Sequence, residues 1–318
     1  MSSAYTFKMG VFFDETGLPF EHAAALSQEL GARYAEFFVH PDRLTTQYAA
    51  HCRRVLDDAG LQAHAMGSAP NPFKQIHIDE IALDELPTNP EFVHDLDLVR
   101  RSMEFAQIVG APNVLVSGFA WPGEFQNGER VSPTWPQRYA TGGGVIPAAE
   151  LDKLAKAFTI IAELAERQDM HVAISVHPWE YANTSRNYRR IVERVNSPRL
   201  RAKWGPGDAY NCGELDTVTT GYENLKPYLT SLHLKDLRTL DGPACEFEYC
   251  AVGTGDVDYP GLFRTFARDR TDIVIGVGTH FQPPGGTQVD AMRINYRNTL
   301  RLTEQAVQAA LRGPISTT

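Results

Sequence analysis

Tyr228-Leu229-Thr230-Ser231-Leu232-His233-Leu234-Lys235-Asp236 is the stretch on which the reading of the fold turns. Its apolar run reads as a buried strand, and residues 230–234 form its centre. Side chains alternate along a strand, so Ser231, His233 and Lys235 share one face, and the last two arrive at its carboxyl end. A strand that ends in an imidazole and an ammonium points to a site at the edge of a sheet.

Working outward, similar runs alternate with helical patterns along the whole chain. Strands are predicted at 7–13, 34–39, 61–66, 113–117, 171–176, 200–204, 230–234 and 273–277. Helices are predicted at 20–30 (closed by Gly31), 45–59 (stopped by Gly60), 91–109 (ended by Gly110) and 147–167, which has Pro147 in its first turn. Further helices are expected at 186–195, 260–268 and 290–311, with a weaker one near 215–225. Continuous apolar strands between helices imply a parallel sheet covered on both faces. Eight such units in 318 residues favour an α/β fold, a single closed (β/α)8 TIM barrel over residues 1–312, with a frayed tail at 313–318.

The sequence is 43% hydrophobic with a formal charge of -9, ordinary for a chain with a sizeable core. No long block of like charge suits a nucleic acid or an anionic membrane. Arg186, Arg189, Arg190 and Arg194 cluster at helical spacing and read as a solvated helix face. Cys52, Cys212, Cys245 and Cys250 lack zinc-site spacing and suggest thiols in a reducing compartment. The start reads as no signal peptide and no apolar run is long enough to cross a bilayer, so a cytoplasmic soluble protein is expected. A small-molecule substrate is expected, without nucleic-acid or membrane partners; a homo-oligomer stays open.

Barrel chemistry sits at the carboxyl ends of the strands and in the loops that follow them. Alternation gives the inward set: Ala173, Ser175 and His177; Arg201, Lys203 and Gly205; Ser231, His233 and Lys235; Val274, Gly276 and Gly278, with His280 just beyond. Glu36 and His64 are expected near the same rim. The long loops 67–89 and 118–146 are candidates to cover the mouth. Trp121, Phe125, Trp135 and Tyr139 in the second loop, and Trp179 after the fifth strand, are candidates for an apolar wall over a ligand or for packing their own loops. Gly142-Gly143-Gly144 and Gly253-Thr254-Gly255 lack the strand-to-helix setting of a nucleotide loop.

His233-Leu234-Lys235-Asp236, followed by Val252-Gly253-Thr254-Gly255-Asp256-Val257-Asp258-Tyr259-Pro260, resembles the xylose-isomerase-like sugar isomerase/epimerase superfamily. The resemblance implies a TIM barrel and a divalent metal held by two Glu, one Asp and the position of His233. It also marks three departures. The family's Glu-x-His-Pro at the end of the fifth strand is Ser175-Val176-His177-Pro178 here. Its Asp-x-Gly-His on the sixth is Gly205-Pro206-Gly207-Asp208. Its Glu on the eighth is Gly276 or Gly278. Hard divalent ions need several oxygen ligands, so no metal is expected at that cage.

Lys203 can supply positive charge instead, or act as a base or Schiff-base amine if burial lowers its pKa; pairing to Asp208 or Glu36 for structure is the alternative. The expected function is proton abstraction and return on a polyhydroxylated or carbonyl-containing small molecule: isomerisation, epimerisation or a related elimination. His177, Asp208, His233, Lys203 and Lys235 are the catalytic candidates. Glu36, His64, Trp121, Trp135, Trp179 and His280 are the substrate-binding candidates. Two alternatives are an inactive barrel serving as a binding or partner subunit, and a transition-metal site rebuilt from His177, Asp208, His233 and His280.

Overall fold

The computed structural model describes residues 5–126, 129–130, 140–242 and 246–312. Eight strands run in parallel and close on themselves: β1 (Lys8–Phe12), β2 (Tyr34–Val39), β3 (Gln62–Ser68), β4 (Asn113–Val116), β5 (His171–Val176), β6 (Leu200–Trp204), β7 (Leu229–Leu234) and β8 (Val274–Val277). Closure falls between β8 and β1, where Gly276 faces Gly10 and Val277 faces Val11. The fold is the expected (β/α)8 TIM barrel. The expected tail at 313–318, together with Trp135, Tyr139 and Cys245, lies outside the described residues.

The outer helices bury an apolar stripe and stop at local signals. Helix α1 spans Phe20–Leu30 and ends at Gly31, whose φ of 79° is the left-handed cap that glycine tolerates. Helix α2 spans Thr46–Asp58, with the Thr45 side chain accepting from the Tyr48 N–H. Helix α3, Pro90–Val109, is capped by Asn89, whose side chain accepts from the N–H groups of Glu91 and Phe92. Helix α4, Ala148–Arg167, buries Leu154, Ala157, Phe158, Ile161 and Ala165, the three-and-four spacing of one helix face. Helix α5 (Ser185–Val195) carries the arginine cluster, in which Arg189 pairs with Glu193 and Arg194 with Asp152. Among the described residues no helix is long and apolar enough to cross a membrane.

Two elements at the carboxyl ends of the strands stand out among those not expected from sequence. A short helix, α6 (Pro206–Asn211), follows β6, and a hairpin, Asp236–Asp241 with Glu246–Cys250, follows β7. The weak helix near 215–225 is a π-turn at Thr217–Gly221 running into one helical turn, α7 (Tyr222–Leu225). Helices α8 (Tyr259–Asp269) and α9 (Gln288–Leu311) complete the ring.

The pairing of the His-Leu-Lys-Asp stretch with the later glycines has a direct cause. Asp236 is buried, and its carboxylate accepts the N–H groups of Leu237 (2.9 Å), Gly253 (2.9 Å) and Gly255 (3.0 Å). A side chain at Gly255 would overlap that carboxylate, so glycine is required by close approach. Asp236 thereby ties the end of β7 to the segment entering α8. Asp236→Ala would leave three N–H groups without their acceptor and is expected to cost about 3 kcal/mol of unfolding free energy. Urea denaturation measures this; a loss under about 1 kcal/mol would contradict the assignment.

The barrel interior is partly charged. Glu36 on β2 and Lys203 on β6 stand on opposite walls, yet their charged groups meet at 3.1 Å with 0% and 3% of their side chains exposed. The ammonium also lies 3.9 Å from the centre of the Phe12 ring. Gly276 makes room for the pair, since a Cβ there would sit 3.0 Å from Glu36 Oε2 and 2.9 Å from the Leu232 carbonyl. Breaking a buried pair from one side leaves the other charge stranded. Lys203→Met is therefore expected to cost about 3–5 kcal/mol, and Glu36→Leu combined with Lys203→Met to recover most of it. Additive losses in urea unfolding would contradict the pairing.

Candidate active site

The mouth is built where β1, β6, β7 and β8 end. After β1 the chain makes a 3-10 turn, Phe13–Thr16, in which the Thr16 hydroxyl donates to the Phe13 carbonyl. This turn carries Glu15 over the barrel. One carboxylate oxygen of Glu15 lies 2.7 Å from His233 Nε2 and 3.1 Å from His280 Nε2. The other accepts the Thr279 N–H at 2.5 Å. Gly278 makes this possible: a Cβ there would overlap the Glu15 carboxylate and come within 2.7 Å of His233 Nε2.

On the neighbouring side, Asp208 in the first turn of α6 lies 3.1 Å from Lys235 Nζ, and both side chains are almost wholly buried. A Cβ at Gly205 would overlap the Asp208 carboxylate. The Tyr259 hydroxyl donates to the Lys235 carbonyl at 2.5 Å, fixing the backbone there. Lys235 Nζ is also 3.3 Å from His280 Nε2, so His280 bridges the Glu15 and Lys235 halves of the site.

These contacts set the charges. Burial alone would raise the Glu15 pKa, but His233, His280 and Lys235 hold it well below the usual carboxylate range. Burial, with Lys235 and Lys203 nearby, pushes His233 down to about 4 against the pull of Glu15. Near neutral pH the imidazole is therefore neutral, with its Nε2 close beside an ionised Glu15. Burial would discharge Lys235, yet Asp208, Glu15 and Tyr249 raise its pKa, so it stays an ammonium.

His177 follows β5 with its ring 4.1 Å from that of Trp179. Burial and the charges of Lys235 and Lys74 lower its pKa well below the ordinary value, and its Nδ1 has no hydrogen-bond partner among the described residues. It is a neutral imidazole whose buried Nδ1 is unpaired among the described residues. The loops after β4 and β5 are pinned together here: the Trp121 N–H donates to the Trp179 carbonyl at 2.9 Å, and Ala120 bridges Glu180. Trp121 packs its ring 5.1 Å from that of Tyr181.

The structure thus links Glu15, His233, His280, Lys235 and Asp208 in one run of contacts. Three candidates, His64, Glu36 and Lys203, lie elsewhere. His64 does not reach the rim. It sits four residues before the end of β3 at Ser68, 3.3 Å from Thr230 Oγ1 and near the Tyr34 ring, both early in their strands. Glu36 lies beneath the rim, sealed against Lys203. Lys203 is consequently the partner of Glu36 in an internal ion pair. Trp135 lies outside the described residues.

Two groups escaped the sequence reading. Glu15 was overlooked because β1 ends in aromatic residues, although the loop after each strand is where barrel chemistry lies. Glu180 was overlooked because nothing in sequence shows its burial. Its carboxylate accepts the Gly118 N–H at 2.5 Å, and burial, against that hydrogen bond, pushes its pKa up to about 7.

A carboxyl raised in the folded state favours the protonated fold. Its stability contribution is complete below the unfolded value of 4.5 and is lost as pH rises through about 7. Glu180→Gln is therefore expected to gain on the wild type between pH 5 and pH 8, by up to about 3 kcal/mol. Denaturant unfolding at the two pH values checks this; a pH-independent difference would contradict it.

A family model for the xylose isomerase-like TIM barrel matches residues 24–295. None of the curated proteins matches the chain in sequence. Among solved structures, a xylose isomerase domain protein from Planctomyces limnophilus shares 16% identity at a TM-score of 0.68, covering 96% of this chain and 99% of its own. An L-ribulose 3-epimerase shares 12% identity at 0.71, covering 98% and 100%. The probable 3-DHS dehydratase AsbF from Bacillus anthracis shares 14% at 0.65, covering 92% and 98%.

The residues present do not fit that family's divalent metal. Ser175, Gly205 and Gly278 carry no carboxylate, and the carboxylates that approach the same space are engaged by Lys235 and the imidazoles. Among the described residues no three His, Cys, Asp or Glu side chains are grouped to hold a metal ion, and this includes the set His177, Asp208, His233 and His280. By its matched span and its closed parallel barrel, the chain belongs to the xylose isomerase-like TIM-barrel family, with other residues at three of the four expected ligand positions.

Proposed function

We propose that this chain catalyses proton transfer next to a carbonyl on a polyhydroxylated small molecule, with its own side chains in place of the divalent metal. A proton leaves the carbon beside the carbonyl, and the electron pair moves onto the carbonyl oxygen as an enediolate. Return of the proton to the adjoining carbon gives isomerisation. Return to the opposite face gives epimerisation. Departure of a neighbouring hydroxyl as water gives elimination.

The observation that carries this reading is the Glu15–His233–His280–Lys235–Asp208 cluster at the carboxyl ends of the strands. Lys235, held charged by Asp208, supplies the positive field for the enediolate oxygen. His177, neutral and with an unpaired ring nitrogen, accepts the carbon-bound proton. His280, 38% exposed and hydrogen-bonded to Glu15, carries the hydroxyl proton. His233 orients Glu15. The names of structurally similar proteins, an L-ribulose 3-epimerase and a probable dehydratase, lie within the same reaction class.

Incubation in D2O with a panel of aldoses, ketoses and their acids tests the reading by NMR. Deuterium is expected at the carbon beside the carbonyl of at least one compound. Alanine at His177, His233 or Lys235 is expected to slow the exchange by about 100-fold or more each, with folding retained. Exchange at the wild-type rate in all three variants would overturn the assignment.

A further inference from the structure

Three ammonium groups lie in or beside the mouth, and two have carboxylate partners inside the protein: Lys203 has Glu36 and Lys235 has Asp208. The third, Lys74, is half-buried in the long loop after β3 and has no carboxylate within ion-pair distance among the described residues. Its Nζ lies 5.7 Å from the centre of the Trp179 ring, which also packs against His177. His177 and Glu180 both feel its charge.

The loop is built to hold this lysine in place. Phe73 adopts a left-handed φ of 67°, uncommon for a bulky residue, and its N–H donates to Asp95 Oδ2 at 2.6 Å. Its ring is fully buried against those of Phe92 and Phe119. The Ser117 N–H donates to the Pro72 carbonyl, tying the loop to the end of β4. The strand position at which the family places a glutamate is Ser175, and Glu180 in the loop after β5 is the carboxyl that feels Lys74, without an ion pair between them.

We infer that Lys74 and the Trp179 ring form a subsite for a carboxylate on the substrate, which is therefore a polyhydroxy acid. A single ammonium suits one carboxylate. A phosphate dianion ordinarily draws several cationic or backbone N–H donors, and the described residues offer one ammonium here. The Trp179 face packs against the carbon chain beside the charged end. This inference rests on the proton-transfer reading and assigns the substrate class of the same site.

Calorimetric titration with D-glucuronate, D-glucose and D-glucose 6-phosphate tests it. D-Glucuronate is expected to bind at least about tenfold tighter than D-glucose. Lys74→Gln should abolish that preference and Lys74→Arg should keep it, both with unchanged thermal unfolding. Equal affinities for the acid and the neutral sugar, a preference that survives Lys74→Gln, or tightest binding of the phosphate would each overturn it. Deuterium exchange on a neutral sugar alone would refute the subsite and leave the proton-transfer reading standing.

Discussion

A buried charge persists only beside an opposite one, and in this barrel that constraint decides what occupies the mouth. Lys235 meets Asp208 and Lys203 meets Glu36, each at 3.1 Å with almost no solvent. Glu15 is met by two imidazoles. Each carboxylate enters space that a glycine leaves open: Asp208 beside Gly205, Glu36 beside Gly276 and Glu15 beside Gly278. Negative charge has not been lost from the barrel relative to the family pattern. It comes from other strands and loops and is balanced by ammonium groups of the chain itself.

That exchange makes the site depend on its supports. Lys235 is placed by the Tyr259 hydroxyl on its carbonyl and by the adjacent Asp236, which gathers backbone N–H groups from the glycine-rich turn. Glu15 is placed by a 3-10 turn and by the Thr279 N–H. The rim is thus preorganised by hydrogen bonds outside the charged cluster, the condition under which fixed dipoles and charges stabilise a developing enediolate.

The barrel was legible in sequence because continuous apolar strands and capped helices each carry their own local signal. Strands at Tyr34–Val39, His171–Val176 and Leu200–Trp204 coincide with the expected bounds. Alternation placed Lys203, His233 and Lys235 on inward faces, and all three project into the barrel or its rim. The hairpin after β7 was not legible, since Asp236–Asp241 is largely polar at its outer end and reads as loop. His64 was misplaced because depth along a strand depends on where that strand begins relative to its neighbours. Glu15 and Glu180 belong to loops whose course follows from tertiary contacts alone.

In the proposed reaction the cation at the mouth is the Lys235 ammonium, with no divalent ion bound beside it. Elemental analysis of protein purified without chelators is the decisive measurement. Well under one equivalent of any transition metal, magnesium or calcium per chain is expected, unchanged in His233→Ala. One equivalent of metal that disappears in His233→Ala would contradict it.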